Sequence, residues 1–157
     1  MAGLSADYIN PFLMAAKQVL KNMCGVDAEI GKPFLKDAEF TSDSIVIIIG
    51  VTGEMRGQVM LGFENPVACD IASKMCMMPI TVLDEISTSA ICELGNMIMG
   101  NTATLFSNND IGIDITPPTL CTGDVSFSAN FTRNICIPIK YGEHTIEFNL
   151  SLKEDRK

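Results

Sequence analysis

The sequence predicts an α+β fold, with about three helices packed on one face of a largely antiparallel sheet. Two observations carry this. Hydrophobic spacing switches from helical to alternating and back, in the order helix, strands, helices, strands. Apolar residues make up 47% of the 157 residues and charged residues 19%, enough for one cored domain over residues 1–157.

The first helix starts at a Ser5 cap, or at Asn10 with Pro11 in its first turn, and runs to about Met23. Its apolar positions Ile9, Phe12, Leu13, Ala16, Val19, Leu20 and Met23 recur at helical spacing, and Gly25 ends it. "AEIGKPFLKDAEF" reads as irregular extended chain. "DSIVIIIGVTGEMRGQVMLGF" reads as a hairpin turning at "TGEMRG". Its first arm, Ile45 to Val51, is apolar enough to be covered on both faces or buried at a subunit contact. Asn65 and Pro66 open a second helix that Pro79 stops, and a third runs from about Leu83 to about Phe106. Four strand-like segments follow. In the last, Ile146, Phe148, Leu150 and Leu152 alternate with Glu147, Asn149 and Ser151, as in a half-buried strand.

The net charge is −8 and no Lys/Arg cluster exists to track phosphates, which argues against nucleic acid as a partner. No signal sequence and no apolar run of membrane-spanning length is present, so the chain is expected in the cytoplasm with no membrane contact. Cys24, Cys69, Cys76, Cys92, Cys121 and Cys136 include no close pair of the zinc-site kind, and His144 is the only histidine. They read as reduced thiols, and no metal or cofactor is expected on the chain. The methionines read as core filler, and His144, in a turn before a strand, as a bystander.

The third helix holds the chemistry. On a wheel of about 100° per residue, Asn96 lies about 60° from Glu93, Ser89 and Gly100 within about 40°, and Glu85 about 80° away. Glu85, Ser89, Glu93, Asn96 and Gly100 therefore form one solvent-facing stripe. Ile91, Leu94 and Ile98 face the sheet, with Ala90 and Met97 beside them. A merely solvated face usually mixes charge signs, and this one has no Lys or Arg. Gly95 and Gly100 each cost a helix about 1 kcal/mol against alanine. On the stripe, Gly100 would let another backbone approach closely.

"DEISTSAICELGNMIMGNTATL", with Glu93, Asn96, Gly100 and Asn101, resembles the CheX family of chemotaxis phosphatases, relatives of CheC and the flagellar switch phosphatases. The opening "INPF", the "TPPTLCTG" stretch and the order of elements are similar too. The resemblance implies a CheC-like fold. It also implies hydrolysis of the aspartyl phosphate on a CheY-like receiver domain, which would carry its own Mg2+. CheC-type relatives have two E-x-x-N helices. Here the first helix offers only "DYIN", Asp7 to Asn10, so the chain looks like the single-site CheX type, a homodimer whose sheets join across the contact.

In that chemistry Asn96 would orient the attacking water without deprotonating it, since an amide does not titrate. Glu93 would meet the receiver's lysine and set the register of the helix. Glu85, Ser89 and Gly100 complete the receiver-facing stripe. Asn101 falls off the stripe, which suits a structural role toward the following loop. The alternative is a non-catalytic module that binds a phosphorylated receiver; a weaker third reading is a structural subunit.

Overall fold

The computed structural model describes residues 6–35, 38–40, 43–122, 125–127 and 134–154, with 38–40 and 125–127 described by backbone alone. Its helices are α1 (Ala6–Cys24), α2 (Asn65–Cys76) and α3 (Glu85–Ser107). The strands before α2 are β1 (Glu29–Ile30), β2 (Phe34–Leu35), β3 (Ala38–Phe40), β4 (Ser44–Gly53) and β5 (Met55–Glu64). Those after α3 are β6 (Ile113–Ile115), β7 (Thr119–Thr122), β8 (Val125–Phe127), β9 (Ile135–Tyr141) and β10 (His144–Glu154).

The main sheet is antiparallel, in the order β1-β9-β10-β5-β4-β6, with β2 also pairing β9 and β7 also pairing β4. A separate two-stranded ladder joins β3 to β8. The expected "TGEMRG" turn is tighter than predicted, because its residues find partners on other strands. Thr52 and Gly53 continue β4 by pairing with Asp114 and Ile113, while Met55 and Arg56 already pair with Glu154 and Lys153. Only Glu54 stands between the two arms.

Strand β4 lies inside the sheet, with β5 on one side and β6 and β7 on the other. Ile45, Ile47, Ile49 and Val51 join the main core on the helix side, and Val46 is buried with Met60 on the far side. The apolar run is thus accounted for within one chain and does not itself require a subunit contact. Burying an Ile or Phe fully is worth about 1.5–3 kcal/mol, so this strand and the helices above it anchor each other. Phe12 of α1 joins them: its ring meets Phe106 of α3 at 5.4 Å and Phe148 of β10 at 6.2 Å, both edge-on.

Several boundaries differ from expectation for local reasons. Ser5 lies outside the described residues, and Pro11 sits inside α1 rather than at its start. The cap of α2 is Glu64, one residue before Asn65, and it makes no side-chain cap bond. That helix ends before Pro79, at Met77 in the left-handed region (φ 56), whose N–H bonds to Ser73 O. Asn149 is buried rather than surface-facing and accepts a 2.8 Å hydrogen bond from Asn134 Nδ2. None of the six cysteines is in a disulfide; Cys24 and Cys136 are buried and the others half-buried. Met55, Met60 and Met99 fill core, but Met14, Met23, Met77 and Met78 are exposed, so the core-filler expectation holds only in part.

Candidate functional site

Helix α3 is fixed at both ends before it presents anything. At its start Asp84 and Ser87 form a reciprocal cap. Ser87 N–H donates to Asp84 Oδ1 at 2.9 Å, and Asp84 N–H donates to Ser87 Oγ at 2.6 Å. Such a cap is worth about 1 kcal/mol. The Ser87 backbone N–H and then its hydroxyl hold the Asp84 carboxyl below its ordinary 3.8. At the far end Phe106 is fully buried, with its ring against Tyr8 and Phe12 of α1.

Along its middle, Ile91, Leu94 and Ile98 are buried against the core, as the wheel predicts, Ala90 and Met97 are half-buried, and Met99, which the wheel reading did not name, is buried too. Gly95 belongs to this inner face. A Cβ there would lie 3.2 Å from Ile47 Cγ2, 3.5 Å from Leu61 Cδ1 and 3.6 Å from Ile49 Cδ1. The glycine therefore lets α3 sit close on β4 and β5. Gly100 is different: a Cβ there would meet nothing within 4 Å.

With one face immobilised, the opposite face is aimed. Ser89, Glu93 and Asn96 are exposed and line one open cleft of about 260 Å³ together with Thr88, Cys92 and Pro118. Pro118 comes from the loop between β6 and β7, which forms the other wall. That loop is clasped to β4. Gly50 N–H donates to Thr116 Oγ1 at 2.8 Å, and Thr116 N–H donates to Gly50 O at 3.0 Å. A Cβ on Gly50 would lie 3.1 Å from Thr116 Cγ2, so the clasp needs a small residue at that position.

Three of the five stripe residues thus share the cleft. Glu85 is exposed in the first turn, about three turns' rise closer to the helix start than Asn96, and is not a lining residue. Gly100 lies beyond the other end. Thr88, Cys92 and Pro118 were not singled out from the sequence. Thr88 and Cys92 lie about 140° and 100° from Glu93, on the side of the stripe where the β6–β7 loop happens to stand. The paired prolines of "TPPT", which favour stiff extended chain, were the available signal for that wall. Asn101 is exposed, and among the described residues its side chain makes no hydrogen bond to the following loop.

The cleft's chemistry is narrow. Among the described residues Glu93 is its one carboxylate, Asn96 its one amide, and no Lys, Arg or His lines it. Burial pushes the Cys92 thiol up, so it stays protonated and is a poor nucleophile. Such a cleft attracts a cation and orients a polar hydrogen, but among the described residues it offers no positive charge to a free phosphate. Among the described residues no group of three or more His, Cys, Asp or Glu is placed to hold a metal ion. His144 lies elsewhere, on the first residue of β10, with its ring against Tyr141 and its Nε2 3.9 Å from Asp70 Oδ2. No described helix is long and apolar enough to cross a membrane.

The family described as chemotaxis phosphatase CheX matches residues 45–140, a span that includes α3 and the β6–β7 loop. The CheY-P phosphatase CheX of Thermotoga maritima is 30% identical over 152 residues, covering 96% of this chain and 98% of that protein. A CheC-like superfamily protein from Shewanella superposes with a TM-score of 0.85 at 27% identity, over 96% of this chain and 99% of that one. A chain in the CheX–CheY–BeF3–Mg2+ complex from Borrelia burgdorferi superposes with a TM-score of 0.82 at 29% identity, over 96% and 100%.

Proposed function

Because this chain belongs to the CheX family of chemotaxis phosphatases, we propose that it hydrolyses the aspartyl phosphate of a CheY-like response regulator and so ends a chemotaxis signal. The observation that carries the site assignment is the shared cleft of Ser89, Glu93 and Asn96 on a helix fixed at both ends. Among the described residues the cleft has no cation to compensate a phosphate's charge. The substrate must bring that compensation, as a receiver domain does with its bound Mg2+ and its lysine. The Borrelia burgdorferi relative was crystallised with CheY, BeF3 and Mg2+; BeF3 stands in for the phosphoryl group.

In this reading α3 enters the receiver's active-site cleft. The Glu93 carboxylate meets the receiver's lysine and fixes the register of the helix. One turn on, the Asn96 side-chain oxygen accepts a hydrogen bond from water and holds it in line with the phosphorus. Water attacks, the aspartyl oxygen leaves as carboxylate, and inorganic phosphate departs. Asn96 gains no proton at any stage. A hundredfold acceleration requires about 2.7 kcal/mol of transition-state stabilisation, within reach of positioning one water. Gly100 keeps the far end of the stripe flat, and Glu85 and Ser89 face the receiver at the other end.

The same reading places the chain in the cytoplasm as a single domain and a homodimer. The nearly half-exposed Phe34 and Leu35 of β2 offer an apolar sheet margin for self-association, which sedimentation tests. The activity is tested by phosphate release from a CheY-type receiver kept phosphorylated by acetyl phosphate. Release should rise in proportion to added chain; a rate independent of the chain contradicts the proposal.

A further inference from the structure

Four large apolar side chains stand in solvent between the end of α2 and the first turn of α3. Met77 is 91% exposed, Met78 54%, Val82 72% and Ile86 66%. The segment that carries them is tied down at both ends. Ile80 N–H donates to Ser73 Oγ at 2.9 Å, Met78 N–H donates to Ser73 O at 3.2 Å, and the Asp84–Ser87 cap closes the other end. Ile80 and Leu83 of the same segment already pack on the core, so the fold does not use the four outward residues.

Two details argue that they are kept for a partner. Met77 occupies the left-handed position that ends α2, where glycine is the common and unstrained choice. The helix end is thus made less favourable while the most exposed of these side chains is placed there. Ile86 precedes Glu93 by seven residues, which puts it about 20° away on the wheel and about 10.5 Å nearer the start of α3. A partner seated over Glu93 therefore lies along Ile86 as well. Exposed apolar clusters of this kind mark interaction surfaces, and methionine adapts to irregular ones.

We propose that Met77, Met78, Val82 and Ile86 form a second foothold for the receiver domain, an apolar patch continuous with the α3 cleft that grips receiver surface beside the phosphorylated aspartate. This rests on the phosphatase reading above. The receiver is favoured over a second copy of the chain because Ile86, the end of the patch on α3, lies on the same face of that helix as Glu93 of the cleft. The patch governs affinity, whereas Asn96 governs rate.

The test compares wild type with a Met77→Asn/Val82→Ser/Ile86→Gln variant. All three positions are exposed, and thermal melting verifies the variant's fold. The readout is the dissociation constant for a BeF3–Mg2+-loaded CheY-type receiver whose phosphorylated form the wild type hydrolyses. The triple variant should bind about tenfold more weakly or worse. Met14→Ser, which removes an exposed methionine from α1, should leave the constant unchanged. An unchanged constant in the triple variant overturns the proposal while leaving the phosphatase reading intact. A triple variant that loses self-association in sedimentation but keeps its receiver affinity assigns the patch to a second copy, and also overturns it. A wild type that neither binds nor dephosphorylates any receiver overturns the reading and the proposal together, before any variant is needed.

Discussion

Replacing each α3 glycine by alanine makes the same chemical change at two places with opposite surroundings. Glycine to alanine in a helix interior is worth about 1 kcal/mol of stability on propensity alone. At Gly100 the new methyl enters open space, so that gain should appear nearly whole. At Gly95 it would stand 3.2 Å from Ile47 Cγ2, closer than ordinary contact. Ile47 is fully buried on an inner strand and cannot yield freely, so α3 must lift by a few tenths of an ångström. Overpacking of this kind costs about 1–3 kcal/mol. Gly95→Ala should therefore lose about 1 kcal/mol and Gly100→Ala gain about 1 kcal/mol, moving the melting temperatures about 3 °C in opposite directions. Urea titration followed by circular dichroism measures both. Lifting α3 also shifts Glu93 and Asn96 against Pro118, so Gly95→Ala should lose activity beyond its loss of stability. Equal stabilisation by the two substitutions would refute the reasoning that Gly95 sets the helix-to-sheet distance.

Asn96→Ala should remove most of the acceleration, about 100-fold, while raising stability by a few tenths of a kcal/mol, since alanine is the better helix former at an exposed position; a fall in stability would give Asn96 a structural role instead. Glu93→Ala should weaken receiver binding several-fold at low salt, and the deficit should shrink at high salt because screening already weakens the wild-type pair; titration calorimetry at two ionic strengths decides this. Asp84→Ala should lower stability near neutral pH through loss of the α3 cap. Because the folded-state pKa of Asp84 lies below 3.8, its contribution is complete above that pH and is lost as pH falls through the folded value. The stability gap between wild type and Asp84→Ala should therefore close only below about pH 4, as denaturant titrations across pH would show.

The α3 stripe was legible because helical periodicity alone brings Ser89, Glu93 and Asn96 to one side of one helix. Which side of the stripe becomes a cleft was not. That depends on the Gly50–Thr116 clasp, whose partners are 66 residues apart and which exists only once β4 has paired. The cap of α3 was missed because a serine, not a glutamate or glutamine, completes the Asp84 box. Asn149 looked like a solvent-facing alternate on β10, yet the far face of the sheet is covered there, and alternation cannot show what lies across a sheet. Similarly, the apolar run of β4 could mean burial within the chain or between chains; Ile45, Val46, Ile47, Ile49 and Val51 are buried within the chain, which alternation could not show.

The most direct test follows the decay of a phosphorylated CheY-type receiver with wild type and with Asn96→Ala, at concentrations where both are shown to bind it. Wild type should speed decay by about 100-fold and the variant by little. If both bind and neither changes the decay, the chain is a receiver-binding module and not a phosphatase, and the role given to Asn96 is wrong.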